Sequence, residues 1–316
     1  MPELRRTAAG PRHLANNPQG ERSDKGAMSK EAAKTASGPT ALVAIEQFYP
    51  KEQRMIEDNL AYRVLSPGFR VFVQLTRPGW ARRLLIRRSD RGEFPGMWGG
   101  MLCRKRYIDD RLVEAASGVD VVVNLGVGLD TRTYRLPALS GIPVWEVDQP
   151  EVIEQKRASL GRVFDSLPQN VTLVPVDFDY EDTREALKTH GYSTESRTFF
   201  ILEGTTQYVT EKGLQSTFDF LSATAQGSRL AFTYIRKDFI EGRDLRGWEQ
   251  AYKKYVKGGV WLLGLEPEGL ADFLKKHGWR LIEDRGYDEL AEQYVKPTGR
   301  TLATTTVERV ALAEKL

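Results

Sequence analysis

The sequence is poor in the residues that build covalent and metal frameworks. Its 316 residues include one cysteine and three histidines. A single thiol excludes an internal disulfide framework and fits a reducing compartment. His13, His190, His277 and Cys103 lie far apart along the chain, so no zinc site is expected and no metal ligand is assigned. No apolar run reaches the roughly 18 residues a membrane helix needs. The first residues carry arginines without an apolar segment after them, which does not read as a secretory signal. A soluble, cytoplasmic protein is the expectation. Charge of one sign is lacking too: the formal net charge of +3 is too small to demand a polyanionic partner. Hydrophobic residues make up 41% and charged residues 28%, ordinary globular usage with enough for a sizeable core.

Three regions follow. Residues 1–37 are rich in Pro, Gly, Asn, Ser and charge without apolar period, and are expected to be disordered. Met28 offers an alternative start, so residues 1–27 are expected to be dispensable. Residues 38–118 read as a helical cap broken at Ser66–Gly68, Arg77–Gly79 and Phe94–Gly100. Arg63, Arg70, Arg77, Arg82, Arg83, Arg87, Arg88 and Arg91 crowd this block; they read as solvated helix faces, or as a basic surface for an acidic ligand, nucleic acid or membrane. From residue 119 short β-branched runs alternate with helical patterns. Strands are expected at 119–125, 142–147, 171–177, 198–202 and 229–235. Helices are expected at 151–164, 182–189 and 211–225, the last capped by Thr210. This βα alternation argues for a doubly wound parallel sheet. Pro267 and Gly278 bracket another helix. Strands 279–283 and 301–313, with few helix signals between them, suggest an antiparallel pair at the sheet edge.

The stretch "VVVNLGVGLDTRTYRL" (121–136) runs from the first strand into Gly126 and Gly128. Two glycines let the backbone turn tightly and approach a ligand. The third glycine of a dinucleotide fingerprint is missing; Thr131 stands there. Asp148 ends the second strand about 20 residues on, where a carboxylate can accept both hydroxyls of a ribose. The third strand ends in Asp177, Phe178 and Asp179, an acid for an adenine amino group beside an aromatic. Glu203 ends the fourth, apolar strand. A carboxylate there needs a partner, and a ligand ammonium would serve. Ribose, adenine and ammonium together point to S-adenosyl-L-methionine rather than NAD.

The ordered series "RKRYIDDRLVEA", "VVVNLGVGLDTRTYRL", "VWEVDQPEVIEQKR", "VPVDFDY", "FFILEGTTQYVT" and "WLLGLEPEGLADFLKKHGW" resembles the leucine carboxyl methyltransferase superfamily, over roughly residues 45–313. It looks especially like the bacterial S-adenosylmethionine-dependent O-methyltransferases of polyketide tailoring, abundant in actinobacteria. The resemblance implies a Rossmann-like class I methyltransferase, with a mostly parallel seven-stranded sheet, an antiparallel C-terminal strand and a helical substrate insertion at 236–278. It implies that Gly126 and Gly128 are the cofactor turn and Asp148 the ribose acid. Asp177 and Phe178 would contact adenine, Glu203 the methionine amino group, and Arg104 the cofactor carboxylate, with Arg106 as fallback. Val127 departs from the usual alanine between the glycines.

Methyl transfer from a sulfonium is an in-line displacement in which the protein mostly positions the reactants. A carboxylate acceptor needs no base at neutral pH, whereas a phenol or alcohol does. His190 and His277 sit in "HG" pairs at helix ends, where they complement the helix C-terminus. The expected acceptor is therefore a carboxylate of a small molecule or peptide terminus. Tyr208 or Tyr234 would serve a hydroxyl acceptor. Arg236, Arg70 or Arg106 would orient a carboxylate. Trp248, Tyr252, Tyr255 and Trp261 either wall a substrate pocket or pack the insertion. A phenol O-methyltransferase of secondary metabolism and a non-catalytic S-adenosylmethionine binder are the alternatives. No nucleic acid and no membrane span are expected, and a homodimer is allowed.

Overall fold

The computed structural model describes residues 37–178 and 180–316. Residues 1–36 of the expected tail, with the Met28 start, lie outside the described residues; Ser37, expected to end the tail, is instead the buried first residue of a helix. The cap supplies α1 (Ser37–Glu46), α2 (Pro67–Leu75), α3 (Gly79–Ser89) and α4 (Met97–Ala115). The core runs β1 (Val121–Leu125), β2 (Val144–Asp148), α5 (Pro150–Leu160), β3 (Val171–Pro175), α6 (Thr183–Thr189), β4 (Thr198–Leu202), α7 (Glu211–Ser222) and β5 (Arg229–Ile235). It closes with α8 (Leu270–Lys276), β6 (Trp279–Gly286), α9 (Tyr287–Tyr294) and β7 (Glu308–Lys315).

The seven strands lie in the order β3-β2-β1-β4-β5-β7-β6. β1 to β5 pair in parallel, and β7 runs antiparallel between β5 and β6. Every residue of β1 and β4 is buried, as continuous apolar runs in a sheet covered on both faces require. One core layer joins the cap to the sheet: Ile45, Leu102 and Ile108 pack with Val122, Ile201 and Leu312. The other face packs Phe218, Leu221 and Leu274 against Val123, Phe200 and Phe232. Local signals act as the sequence reading expects at several ends. The Thr210 side chain accepts from the Gly213 N–H, and Asp182 from Arg184 and Glu185.

Two expectations need correction. The last strand begins at Glu308, not near Thr301, and β6 and β7 are separated by α9. Tyr287, Leu290 and Tyr294 recur at helical spacing and are buried on α9, which packs against α4. Second, the cap break at Phe94–Gly100 is only half a break. Gly96 turns the chain with φ +74°, but Gly99 and Gly100 lie inside α4. Their bare faces admit neighbours: a methyl on Gly100 would stand 2.6 Å from the Tyr287 ring, and one on Gly99 would overlap the Ala303 carbonyl. The expected insertion at 236–278 is helical in short pieces, at Lys237–Ile240, at Glu249–Ala251 continued by a wide π-type turn over Tyr252–Val256, and at α8. Among the described residues no helix is long and apolar enough to cross a membrane.

Candidate active site

A cavity of about 570 Å³ opens at the carboxyl ends of β1, β2 and β4, beneath the cap. This is where open α/β sheets receive ligands. Gly126, Gly128, Asp148, Phe178, Glu203, Arg104 and Tyr208 all line it.

The glycine turn forms one wall. Gly126 has φ +75° and Gly128 φ +51°, the left-handed region open to glycine. A methyl on Gly126 would overlap the Thr205 side chain, so this glycine also admits close approach of the β4 loop. Asp148 is fastened to the turn: its carboxylate accepts from Gly128 N at 2.8 Å and from Gln149 N at 2.8 Å. Burial raises its pKa to about 6, with the two N–H donors only partly opposing. The buried ring of Phe178 also faces the cavity. Asp177 does not line it; its N–H donates to Glu181 Oε2 at 2.7 Å. Asp179 lies outside the described residues.

A lattice of buried charge forms the floor. Glu203 Oε1 receives Arg104 Nε at 2.9 Å and Lys105 Nζ at 3.2 Å, and its Oε2 receives Arg132 at 2.6 Å. Arg104 also grips both oxygens of Glu308, at 2.8 and 2.9 Å. Asp130 takes Lys105 at 3.3 Å and Arg132 at 3.0 Å. Arg132 and Arg135 continue the lattice to Asp109, and Arg135 reaches Asp58. Burial alone would raise the Glu203 pKa, but Lys105, Arg132 and Arg104 together hold it at about 2. Asp130 is likewise lowered, by Arg132 and Lys105 against the effect of burial. Asp109, which does not line the cavity, is raised by burial.

Several expected residues are elsewhere. Strand alternation decides Tyr234. The Thr233 hydroxyl oxygen accepts from the Gly204 N–H and Ile235 lines the cavity, so Tyr234 points to the opposite sheet face. There its hydroxyl donates to Asp284 at 2.9 Å. Arg236 turns away to Asp238 at 3.0 Å. Arg106 pairs with Asp110 and donates to the Met55 carbonyl. Arg70 donates to the Arg63 carbonyl. None of these four lines the cavity. His190 Nδ1 lies 2.7 Å from the Ala186 carbonyl at the end of α6, and His277 stacks near Phe218 and Phe273. Cys103 is fully buried, and burial pushes its thiol up to about 12.

The sequence reading missed Lys105, Asp130, Asn124, Gln149, Gln207 and Glu308, all of which line the cavity. Lys105 and Asp130 flank residues that were singled out; only contact through space marks them. Glu308 sits at the start of a strand that the sequence places seven residues too early.

The donor set fits S-adenosyl-L-methionine. Asn124 Nδ2, Gln149 Oε1, Gln207 Oε1 and Trp261 Nε1 are buried on cavity residues with no hydrogen-bond partner. Such atoms are costly unless a ligand satisfies them. Arg104 Nη2 makes no hydrogen bond among the described residues. A ligand head carrying both ammonium and carboxylate would find Glu203 and Arg104 side by side.

Comparison with known proteins agrees. Residues 36–222 match the model of the leucine carboxyl methyltransferase family. A protein of Mycobacterium avium, named as an S-adenosyl-L-methionine-dependent methyltransferase, is 31% identical over 78% of this chain and 84% of its own. A second, from Mycolicibacterium paratuberculosis and named likewise, is 33% identical over 64% and 74%. The fold resembles that of a DUF574 family protein of Streptomyces avermitilis, with a TM-score of 0.54, 14% identity, and coverage of 75% of this chain and 91% of that one. The chain belongs to the leucine carboxyl methyltransferase family and is an S-adenosyl-L-methionine-dependent methyltransferase.

Proposed function

We propose that the enzyme methylates a carboxylate oxygen, giving a methyl ester. The observation that carries this reading is the commitment of the carboxylates on the cavity floor. Glu203, Asp130 and Glu308 are each held by cations, and Glu203 titrates near 2. None of these three is poised to take a proton from a phenol near pH 7, and Asp148, which titrates near 6, is fastened by Gly128 and Gln149 N–H at the glycine turn. An acceptor that arrives as a carboxylate needs no such help.

In this reading Gly126, Gly128, Asp148 and Phe178 hold the adenosine half, and Glu203 with Arg104 and Lys105 the methionine half. The cofactor brings a methyl group on a sulfonium. When bound it would give up that methyl to a carboxylate oxygen of the acceptor, the C–O bond replacing the C–S bond, with no proton to remove. The chain's part is to align the two and to keep water out. Phe94, Met97, Trp98, Ile235, Tyr255 and Trp261 form an apolar wall for this purpose. Trp261 also offers an indole N–H without a partner, a donor for one acceptor oxygen. The aromatic insertion thereby takes part in the site, while Trp248 packs beneath it, donating to the Pro95 carbonyl at 2.8 Å.

Tyr208 supports the second reading, a hydroxyl acceptor, because it lines the same cavity. Product chemistry separates the two. With labelled cofactor and panels of carboxylic acids and phenols, an ester product releases methanol in mild base. A base-stable ether product would overturn the carboxylate reading.

A further inference from the structure

The arginine block noted in the sequence acquires a shape in the fold. Residues 67–91 carry seven arginines against one acid, Asp90, in a chain whose net charge is only +3. They form the α2–α3 hairpin of the cap. Val71, Phe72, Leu75, Trp80 and Leu84 on this hairpin are 41% to 68% exposed. They are five of the ten large apolar side chains exposed among the described residues, gathered within one short span. Arg77, Arg83, Arg87, Arg88 and Arg91 are exposed beside them, and none makes an ion pair among the described residues. Elsewhere on the surface many arginines are paired, as Arg197 is with Asp120 and Arg285 with Glu289, and the exposed Arg63, Arg162 and Arg184, which make no ion pair among the described residues, each donate to a backbone carbonyl. Trp80, Leu84, Arg87 and Arg88 follow at helical spacing along α3, so apolar contact and free charge share one side.

We propose that the α2–α3 hairpin docks the enzyme on an anionic lipid bilayer. An apolar patch with a tryptophan and a cationic surround suits the headgroup boundary, where the ring and the aliphatic tips enter and the guanidinium groups meet lipid phosphates. Charge complementarity selects this occupant. A second copy of the same face would bring like charge against like charge. The first 36 residues, with seven basic and four acidic side chains, are net positive as well and gain nothing electrostatically there. The docked face adjoins the mouth of the cavity, because Phe72 is half exposed and also lines the cavity, with Phe69 and Leu85 behind it. The surface is argued without reference to which acceptor is methylated.

The test is flotation of the full-length protein with vesicles of phosphatidylcholine alone and of phosphatidylcholine with about 30 mol% phosphatidylglycerol. Binding to the anionic vesicles only, falling at least about tenfold between low and high salt, is expected. Leu75→Ala/Trp80→Ala and Arg87→Gln/Arg88→Gln should each lower that binding by about tenfold or more. Both should leave calorimetric S-adenosylmethionine affinity unchanged, which reports that the variants are folded. Absence of binding to either vesicle would overturn the proposal. So would binding that both variants retain. A dimer seen by light scattering that Leu75→Ala/Trp80→Ala dissolves, without vesicle binding, would assign the patch to a protein contact instead.

Discussion

Asp148 is the residue whose energetics most clearly separate folding from function. Its carboxylate is buried, accepts two backbone N–H groups, and titrates near 6. A carboxyl whose folded pKa lies above its unfolded value favours the folded state below the unfolded value. That contribution is lost as pH rises through about 6. At pH 7.5 the free enzyme therefore holds a strained charge; Asp148→Asn removes that charge but turns its NH2 toward one of the two backbone N–H donors, so its stability in urea should stay within about 1 kcal/mol of the native enzyme's while losing the native pH dependence. The same variant should weaken S-adenosylmethionine binding, because the ribose hydroxyls lose an anionic acceptor. For the native enzyme, calorimetry at pH 5.5 should show affinity about fourfold weaker than at pH 7.5, following the ionised fraction. Asp148→Asn should be flat over that range. Glu203 is the opposite case, since its charge is matched by Arg104, Lys105 and Arg132. Glu203→Gln leaves those cations uncompensated, and a loss of about 3 kcal/mol in denaturant unfolding is expected, with cofactor binding weakened as well.

Between elements, parity and close approach decide which side chains meet. Tyr234 and Arg236 looked as suitable as Tyr208 in the sequence, but the strand period of two sends Tyr234 through the sheet to Asp284. Tyr234→Phe should accordingly leave the pH dependence of turnover unchanged and act only on stability. The glycines carry a second prediction. Gly126→Ala combines a left-handed φ with overlap on Thr205 and should abolish measurable cofactor binding. Gly100→Ala should lower stability by about 2 kcal/mol because the added methyl would meet the fully buried Tyr287 ring. Helix α9 was legible in principle: Tyr287, Leu290 and Tyr294 have helical spacing, and Glu289 Oε1 accepts from the Gly286 N–H at the helix start. Its weakness as a signal was its length of eight residues, too short for periodicity to outweigh the β-branched run that follows.

On the scale of the whole molecule, cap and sheet share one apolar layer. The charged lattice crosses the same boundary, with Arg104 and Lys105 from α4 meeting Glu203 after β4 and Glu308 on β7. Thermal unfolding monitored by far-ultraviolet and near-ultraviolet circular dichroism should therefore give coincident curves, one transition for both regions. Separate transitions would show that the cap folds on its own.

The sequence by itself determined the alternating α/β core, the five parallel strands and the glycine turn with Asp148. These rest on local period and on turn chemistry, which neighbouring residues carry between them. It also placed Arg104, Phe178, Glu203 and Tyr208 where the cavity later gathered them. Only the tertiary structure decided that Lys105, Asp130 and Glu308 surround Glu203, that Tyr234 and Arg236 face away, and that the free arginines of the cap sit beside its exposed apolar side chains. The reason is physical: charge pairing and sidedness depend on distances through space, and residues as far apart as Arg104 and Glu308 acquire a common environment only when the sheet and cap close together.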